Sequence, residues 1–77
     1  MKDIKVLGSG CAKCKTTTAL IEQVARDKGV AVNIDKIRDM QAIIAYGVLA
    51  TPGVVVDGKV VHAGGVPQRD RIEAWLA

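Results

Sequence analysis

Residues 2–15 of the chain read KDIKVLGSGCAKCK. Lys2–Leu7 is a short run rich in β-forming residues, and the glycine-rich residues 8–10 that follow it are typical of a loop. Beyond Cys11 and Cys14, apolar residues recur at the spacing of a helix, at Leu20, Ile21, Val24 and Ala25. This stretch therefore predicts a strand, a loop at the carboxyl end of the strand, and a helix that begins near the two cysteines.

The middle of the chain predicts a second strand and a second helix. The first helix should end at Gly29, because glycine is a common helix terminator and a basic residue precedes it. Apolar side chains then alternate with small or polar ones along the predicted strand, at Val30, Val32 and Ile34. In the next helix, Asp39 is the expected N-cap and Gly47 the expected terminator. One face of this helix is predicted to carry Met40, Ile43 and Ile44.

The last third of the chain predicts a hairpin and a third helix. Asp57-Gly58 has the sequence of a two-residue type I′ turn and joins two β-rich runs, Gly53–Val56 and Lys59–His62. Pro67 suits the first turn of a helix, whose apolar stripe is formed by Ile72, Trp75 and Leu76. In the order βαβαββα, a parallel pair with a right-handed crossover is followed by an antiparallel hairpin. We therefore predict an α/β fold with a four-stranded mixed sheet and three helices.

Composition limits the possible function classes. With 77 residues the chain is expected to form a single domain over residues 1–77, and 49% hydrophobic against 25% charged residues is ordinary for a globular protein. The net charge is +3, but basic and acidic residues are mixed along the chain, and Tyr46 and Trp75 are its only aromatic residues. The core is therefore expected to be aliphatic, and no nucleic-acid-binding surface is predicted.

The cysteine content and the amino-terminal residues predict a cellular compartment. Residues 1–7 lack the apolar core and cleavage site of a secretory signal, and no apolar run reaches the roughly 18 residues of a membrane span. We therefore expect a cytoplasmic protein without a membrane partner. Two cysteines are too few for the disulfide framework of a small secreted domain. In a reducing compartment, such a Cys-X-X-Cys pair is more often catalytic or metal-binding.

Cys11 and Cys14, placed at a helix start, are suited to thiol-disulfide exchange. Residues three apart on a helix lie roughly 5 to 6 Å from each other, which is within the Cα separation of a disulfide. Backbone N–H groups, the helix dipole and the nearby Lys13 and Lys15 all favour a thiolate, so we expect a lowered pKa for the Cys11 thiol. Cys11 is the predicted nucleophile. Cys14, one turn deeper on the apolar side, is the predicted resolving thiol, with the higher pKa.

The same two thiolates are also suited to a soft metal ion such as copper or mercury. Small carriers of these metals present two cysteines after a first strand, but their usual element order is βαββαβ, and a Met typically stands where this chain has Ser9. Structural zinc needs four ligands, and His62 is the only histidine of the chain. Redox exchange is therefore our first hypothesis, and soft-metal binding through Cys11 and Cys14 is the alternative.

Two segments carry a family resemblance. Residues 8–15 read GSGCAKCK, and residues 50–60 read ATPGVVVDGKV before a Gly-Gly pair. They resemble the thioredoxin/glutaredoxin superfamily, and especially its small prokaryotic thioredoxin-like members, often called redox-active disulfide proteins. The resemblance covers nearly the whole chain and implies a thioredoxin-like fold. It also implies a cis-proline at Pro52 beside the active-site disulfide, and pairing of the Thr51 backbone with an extended substrate segment. Substrate contacts are accordingly assigned to Gly10, Thr51, Pro52 and Gly64.

Several differences from the family pattern indicate which redox partners to expect. The chain lacks the Trp-Cys-Gly-Pro-Cys of ordinary thioredoxins and the Cys-Pro-Tyr-Cys of many glutaredoxins. No carboxylate stands out as the buried proton acceptor found beneath the second cysteine of thioredoxin, since Asp3 is the only acid on the first strand. Residues 66–68 replace the paired aspartates that help glutaredoxins hold glutathione. We therefore expect a protein disulfide substrate and a protein reductase rather than glutathione. The expected protein is a monomeric oxidoreductase, an electron carrier whose only redox group is the Cys11–Cys14 disulfide.

Overall fold

Seven elements follow one another in a computed structural model that describes residues 2–8 and 12–77 of the chain. In chain order they are β1 (Lys2–Leu7), α1 (Ala12–Lys28), β2 (Val32–Ile37), α2 (Met40–Ala45), β3 (Gly53–Val56), β4 (Lys59–Ala63) and α3 (Arg69–Trp75). The order βαβαββα and the α/β class predicted from the sequence are confirmed. None of the described helices is long and apolar enough to cross a membrane.

The strands form one mixed sheet in the order β2-β1-β3-β4. The central strand β1 pairs in parallel with β2 and antiparallel with β3, and β3 pairs antiparallel with β4. Leu7 lies opposite both Ile37 and Gly53, and Gly53 lies opposite Ala63. The carboxyl ends of β1, β2 and β4 therefore meet the amino end of β3 at one edge of the sheet.

Aliphatic side chains pack on both faces of this sheet. Because successive side chains of a strand point to opposite faces, Ile4 and Val6 of β1 face α1 and α3, whereas Leu7 faces α2. The larger buried cluster consists of Ile4, Val6, Ile21, Val24, Ala25, Val54, Val56, Ile72 and Leu76. The smaller one, on the α2 side, consists of Leu7, Ile43, Val48 and Val55. The prediction of an aliphatic core is confirmed, and Tyr46 and Trp75 are only partly buried at its margins.

The carboxyl end of α1 explains why β2 starts later than its pattern predicts. Gly29 has a φ of 67°, its N–H donates to the Arg26 carbonyl at 3.2 Å, and the Val30 N–H donates to the Ala25 carbonyl at 2.9 Å. These two bonds form a Schellman motif, which satisfies the last helical carbonyls. Val30 is therefore part of the helix cap, and the strand runs over Val32–Ile37 rather than from Val30.

The predicted hairpin is confirmed, but the start of α3 differs from the prediction. Asp57 and Gly58 have φ values of 50° and 84°, the two positive values that a type I′ turn requires. Pro67 was predicted in the first turn of α3 and lies before it instead. Gln68 is the N-cap, with extended φ and ψ of −73° and 152°, so that the helical conformation begins only at Arg69.

The α2 helix contributes less to the core than its apolar spacing predicts. Asp39 is the N-cap, and its carboxylate accepts from the Gln41 N–H at 3.1 Å. Gly47, with a φ of 77°, follows the helix as predicted. Only Ile43 is buried, whereas Met40 and Ile44 are 59% and 58% exposed. A helix of six residues presents little more than one turn to the sheet, so a single inward side chain anchors it.

A pair of isoleucine substitutions tests the position of the core. Ile72→Ala removes a fully buried side chain and should lower the free energy of unfolding by about 2 to 5 kcal/mol, because it loses both burial and packing. Ile44→Ala removes the same atoms from an exposed helical position and should change that free energy by less than about 0.5 kcal/mol. Urea unfolding followed by circular dichroism measures both. Equal losses in the two variants would contradict the assigned burial.

The ion pair between α1 and α3 predicts a pH dependence of stability. The Arg69 guanidinium donates to the Asp27 carboxylate at 2.7 Å, and this hydrogen bond holds the pKa of Asp27 below its ordinary value of 3.8. A carboxyl whose pKa is lower in the folded state stabilises the fold above its unfolded pKa and loses that effect as the pH falls through the folded value.

Asp27→Asn should therefore lower the free energy of unfolding at pH 7, and the loss should vanish at a pH well below 3.8. The effect should also shrink in high salt, because the pair is exposed. Glu22→Gln on the same helix is the control and should show no such difference. Urea unfolding of the three proteins across this pH range is the measurement, and a loss in Asp27→Asn that is independent of pH would refute the ion-pair origin.

Candidate functional site

One edge of the sheet brings together most of the side chains that the sequence singles out. Cys14 lies in the first turn of α1, directly after the carboxyl end of β1, and Thr51-Pro52 precedes β3 at the same edge. Gly64 follows β4 there. Gly10 and Cys11 lie outside the described residues, so their assigned roles stay predictions.

Cys14 is buried on the sheet side of α1, with 6% of its surface exposed, as the sequence predicts. The three threonines that follow it donate hydrogen bonds back to carbonyls of its helical turn. The hydroxyl of Thr18 donates to the Cys14 carbonyl at 3.1 Å, and that of Thr17 donates to the Lys13 carbonyl at 2.8 Å. Thr16 repeats this pattern with the Ala12 carbonyl at 3.0 Å. Thr17 and Thr18 are buried, so these bonds satisfy hydroxyls that would otherwise lack partners, whereas Thr16 is exposed.

Gly8 connects Cys14 with the Thr51-Pro52 segment. A side chain at this position would collide with the Cys14 sulfur, and its Cβ would lie 3.7 Å from the Cβ of Thr51. The Gly8 N–H donates to the Ile37 carbonyl at 2.9 Å, which holds this residue against the end of β2. Its φ is one that other residues adopt, so glycine is required here by space rather than by backbone conformation. The sequence indicated only a loop at Gly8, and this packing role was missed.

The Thr51–Pro52 peptide bond is cis. Pro52 is buried, whereas the preceding Thr51 is exposed. The Gly64 N–H donates to the Pro52 carbonyl at 2.9 Å. A Cβ on Gly64 would lie 3.2 Å from the Cβ of Ala50, and Gly64 has a φ of 83°, so both space and conformation favour glycine. Three of the four residues assigned to substrate contact therefore lie side by side.

A small cavity of about 40 Å³ opens beside Cys14. Its inner wall is formed by Val6, Gly8, Cys14 and Thr18. Lys15, Lys36 and Arg38 complete the lining, whereas Lys13, the other lysine of this turn, is exposed and does not reach it. No carboxylate is among these lining residues. The buried acid that lies beneath the second cysteine in thioredoxin thus has no counterpart in the lining of this cavity.

From its place in a predicted strand, His62 is expected to face solvent, and a role as general base is the other interpretation; the structure differs from the first expectation. Its ring is half-buried, with Nε2 at 2.9 Å from the Gly65 carbonyl and the ring centroid 6.0 Å from that of Trp75. The side chain therefore connects the end of β4 to the loop that follows it. This arrangement assigns His62 to packing at the sheet edge and gives no support for a general base.

The contact between Gly8 and Cys14 predicts a coupling between two substitutions. Gly8→Ala should lower the free energy of unfolding of the reduced protein by about 1 to 3 kcal/mol, because its methyl group overlaps the Cys14 sulfur. In a Cys14→Ala background the sulfur is gone, and the same change should cost less than about 1 kcal/mol. Urea unfolding of the four proteins gives the coupling energy. If Gly8→Ala lowered the free energy of unfolding equally in both backgrounds, a steric conflict between the two residues would be refuted.

Comparison with known proteins agrees with this geometry. The family model described as a thioredoxin domain matches residues 2–77. A thioredoxin of Methanothermobacter thermautotrophicus is 30% identical over 77 residues, which is the full length of both chains. A thioredoxin of Methanocaldococcus jannaschii is 32% identical over 73 residues, covering 95% of this chain and 84% of that one. The fold, the full-length match and these relatives together establish that the chain belongs to the thioredoxin family.

Proposed function

We propose that this thioredoxin-family protein is a thiol-disulfide oxidoreductase that works through Cys11 and Cys14. The observation that carries the proposal is the position of Cys14, which is buried in the first turn of α1 against Gly8 and beside Thr51-Pro52. A second thiol at Cys11, three residues earlier, is at the sequence spacing that a disulfide within one helical turn needs.

The exchange proceeds in two substitutions at sulfur. The Cys11 thiolate attacks one sulfur of a partner disulfide, which forms a mixed disulfide and releases the other partner sulfur as a thiolate that takes up a proton. The Cys14 sulfur, after losing its proton, then attacks the Cys11 sulfur and releases the second partner thiol. Two electrons have passed from the dithiol to the partner, and Cys11–Cys14 is left as a disulfide for a reductase to reduce.

The burial of Cys14 supports this division of roles. A thiol that is 6% exposed is poorly accessible to a protein disulfide, but it can reach a neighbouring sulfur within its own helical turn. Exposed Lys13 and Lys15 add positive charge near the start of α1, where a thiolate is stabilised. Cys11 is therefore assigned as the nucleophile and Cys14 as the resolving thiol.

The loop before β3 supports a protein as the substrate. Thr51 is exposed next to buried Pro52, so an extended peptide can lie along its backbone, as the family resemblance implies. Gly64, bonded to the Pro52 carbonyl, adds a surface without a side chain beside that segment. A protein disulfide as oxidant and a protein reductase as electron donor are the partners that we propose, with glutathione in neither role and with the protein acting as a cytoplasmic monomer.

Soft-metal binding by the same cysteines remains the competing function. Its usual carriers have the element order βαββαβ, whereas this chain has βαβαββα and ends on a helix. The seven residues that line the cavity beside Cys14 include no histidine, aspartate or glutamate that would add a ligand. These observations favour redox exchange, and a copper arm in the experiment below separates the two functions.

Serine substitutions test the proposal. Cys11→Ser should reduce the rate of disulfide reduction to the uncatalysed background, because the attacking thiolate is lost. Cys14→Ser should instead accumulate a covalent mixed disulfide with the substrate, because the resolving step is blocked. Reduction of a protein disulfide followed by intact mass spectrometry measures both. An adduct that accumulates in Cys11→Ser and not in Cys14→Ser would reverse the roles.

The wild-type protein provides the control for this experiment. Free thiols counted across a dithiothreitol redox series should change from two to zero in one two-electron transition, with a slope of about 30 mV per tenfold change in ratio. A parallel sample receives one equivalent of Cu(I). Absence of any disulfide together with tight copper retention would assign the cysteines to metal binding and refute the redox proposal.

A further inference from the structure

The cavity beside Cys14 joins an apolar wall to a cationic rim. The buried residues Val6, Gly8 and Thr18 line it together with Cys14. Three exposed basic residues, Lys15, Lys36 and Arg38, complete the lining. Its volume of about 40 Å³ admits a group of a few heavy atoms. A cavity of this composition favours a small anion over a neutral or cationic group.

Lys36 breaks the apolar pattern of its strand at this cavity. Val32 and Ile34 of β2 pack against the larger core cluster, and Lys36 is the next residue of the same face. It lies opposite Val6 in the parallel register, so both side chains belong to the face that α1 covers. Lys36 is exposed, so its charge stays solvated, and the residue lines the cavity beside Cys14.

The acidic neighbours of these cations face elsewhere. Asp35 lies opposite Lys5 on the other face of the sheet and does not line the cavity. The Asp39 carboxylate caps α2 by accepting from Gln41. Within residues 2–8 and 12–77, the ion pairs join other residues and leave all three cavity cations without a carboxylate. The rim thus carries positive charge that no described acid neutralises.

We propose that this cavity is a carboxylate-recognition subsite, which favours disulfide substrates that carry an anionic group near the reacting sulfur. The inference rests on the proposed exchange function and adds substrate selectivity to it. A substrate disulfide that reacts at the start of α1 comes next to this cavity, because Cys14 and Lys15 of the first turn of α1 line it. The carboxylate belongs either to an acidic side chain beside the partner cysteine or to a small organic disulfide.

Selectivity is measured with three small disulfides of similar length and different charge. These are dianionic 3,3′-dithiodipropionate, neutral bis(2-hydroxyethyl) disulfide and dicationic cystamine. The rate constant of the reduced protein with each is divided by that of 2-mercaptoethanol, which removes differences in intrinsic reactivity. The normalised rate should be highest for the anion and lowest for the cation, and the difference should shrink towards 1 M salt, where charges are screened within about 3 Å.

Charge-removing variants locate the selectivity in the cavity. Lys36→Gln and Arg38→Gln should each lower the ratio of anionic to neutral rates about threefold, the Coulomb effect of a unit charge roughly 7 Å away in water. Their combination should lower the ratio by about tenfold. Lys59→Gln, in the hairpin at the opposite end of the sheet, removes the same charge far from the cavity and should leave the ratio unchanged.

A pair of peptide disulfides separates the two sources of the carboxylate. One carries Glu next to its cysteine and the other carries Gln. A preference for the Glu peptide that is lost in Lys36→Gln assigns the subsite to acidic protein segments, and a preference limited to dithiodipropionate assigns it to small organic disulfides. Either outcome supports the subsite.

The outcomes that overturn the inference differ from those that overturn the exchange function. Normal reaction with bis(2-hydroxyethyl) disulfide but equal normalised rates for all charges would refute the subsite and leave the exchange function intact. The same holds if Lys59→Gln and Lys36→Gln reduce the anionic rate equally, since the effect would then come from net charge. No reaction with the neutral disulfide would refute the exchange function and the subsite together.

Discussion

The close packing of Gly8 against the Cys14 sulfur is the contact on which the site depends. It joins the carboxyl end of β1 to the first turn of α1, and Thr51 lies near the same position of the glycine. A side chain at position 8 would overlap the Cys14 sulfur and force one of the two residues to move. Because β1 is the central strand, paired with both β2 and β3, the position of Gly8 is set by the sheet as a whole.

Around this contact the chain separates an aliphatic interior from a charged edge. The two core clusters hold α1, α3 and α2 against the sheet. Cys14 and Pro52 are buried as well but belong to neither cluster. The strand pattern of β2 changes from Ile34 to Lys36 on the same face. The residue that ends the apolar face of β2 thus lines the cavity beside Cys14.

Much of the fold could be predicted from local sequence signals. The type I′ turn at Asp57-Gly58, the cap at Asp39 and the helix end at Gly29 follow from backbone preferences of single residues, and all three are correct. The errors lie where tertiary packing decides. Pro67 precedes α3 because the helix starts only after extended Gln68, and the exposed Met40 shows that apolar spacing in a six-residue helix does not ensure burial.

The sequence by itself determined the order of elements, the aliphatic core and the position of Cys14 in the first turn of a helix, because each depends on residues close together in the chain. Only the tertiary structure decided what surrounds Cys14. Gly8, Thr51 and Lys36 come from three separate parts of the chain, and strand register and the path of α1 bring them to one edge of the sheet. Spacing along the chain does not predict these distances, because they are set by the pairing of strands and by the packing of side chains between the helices and the sheet.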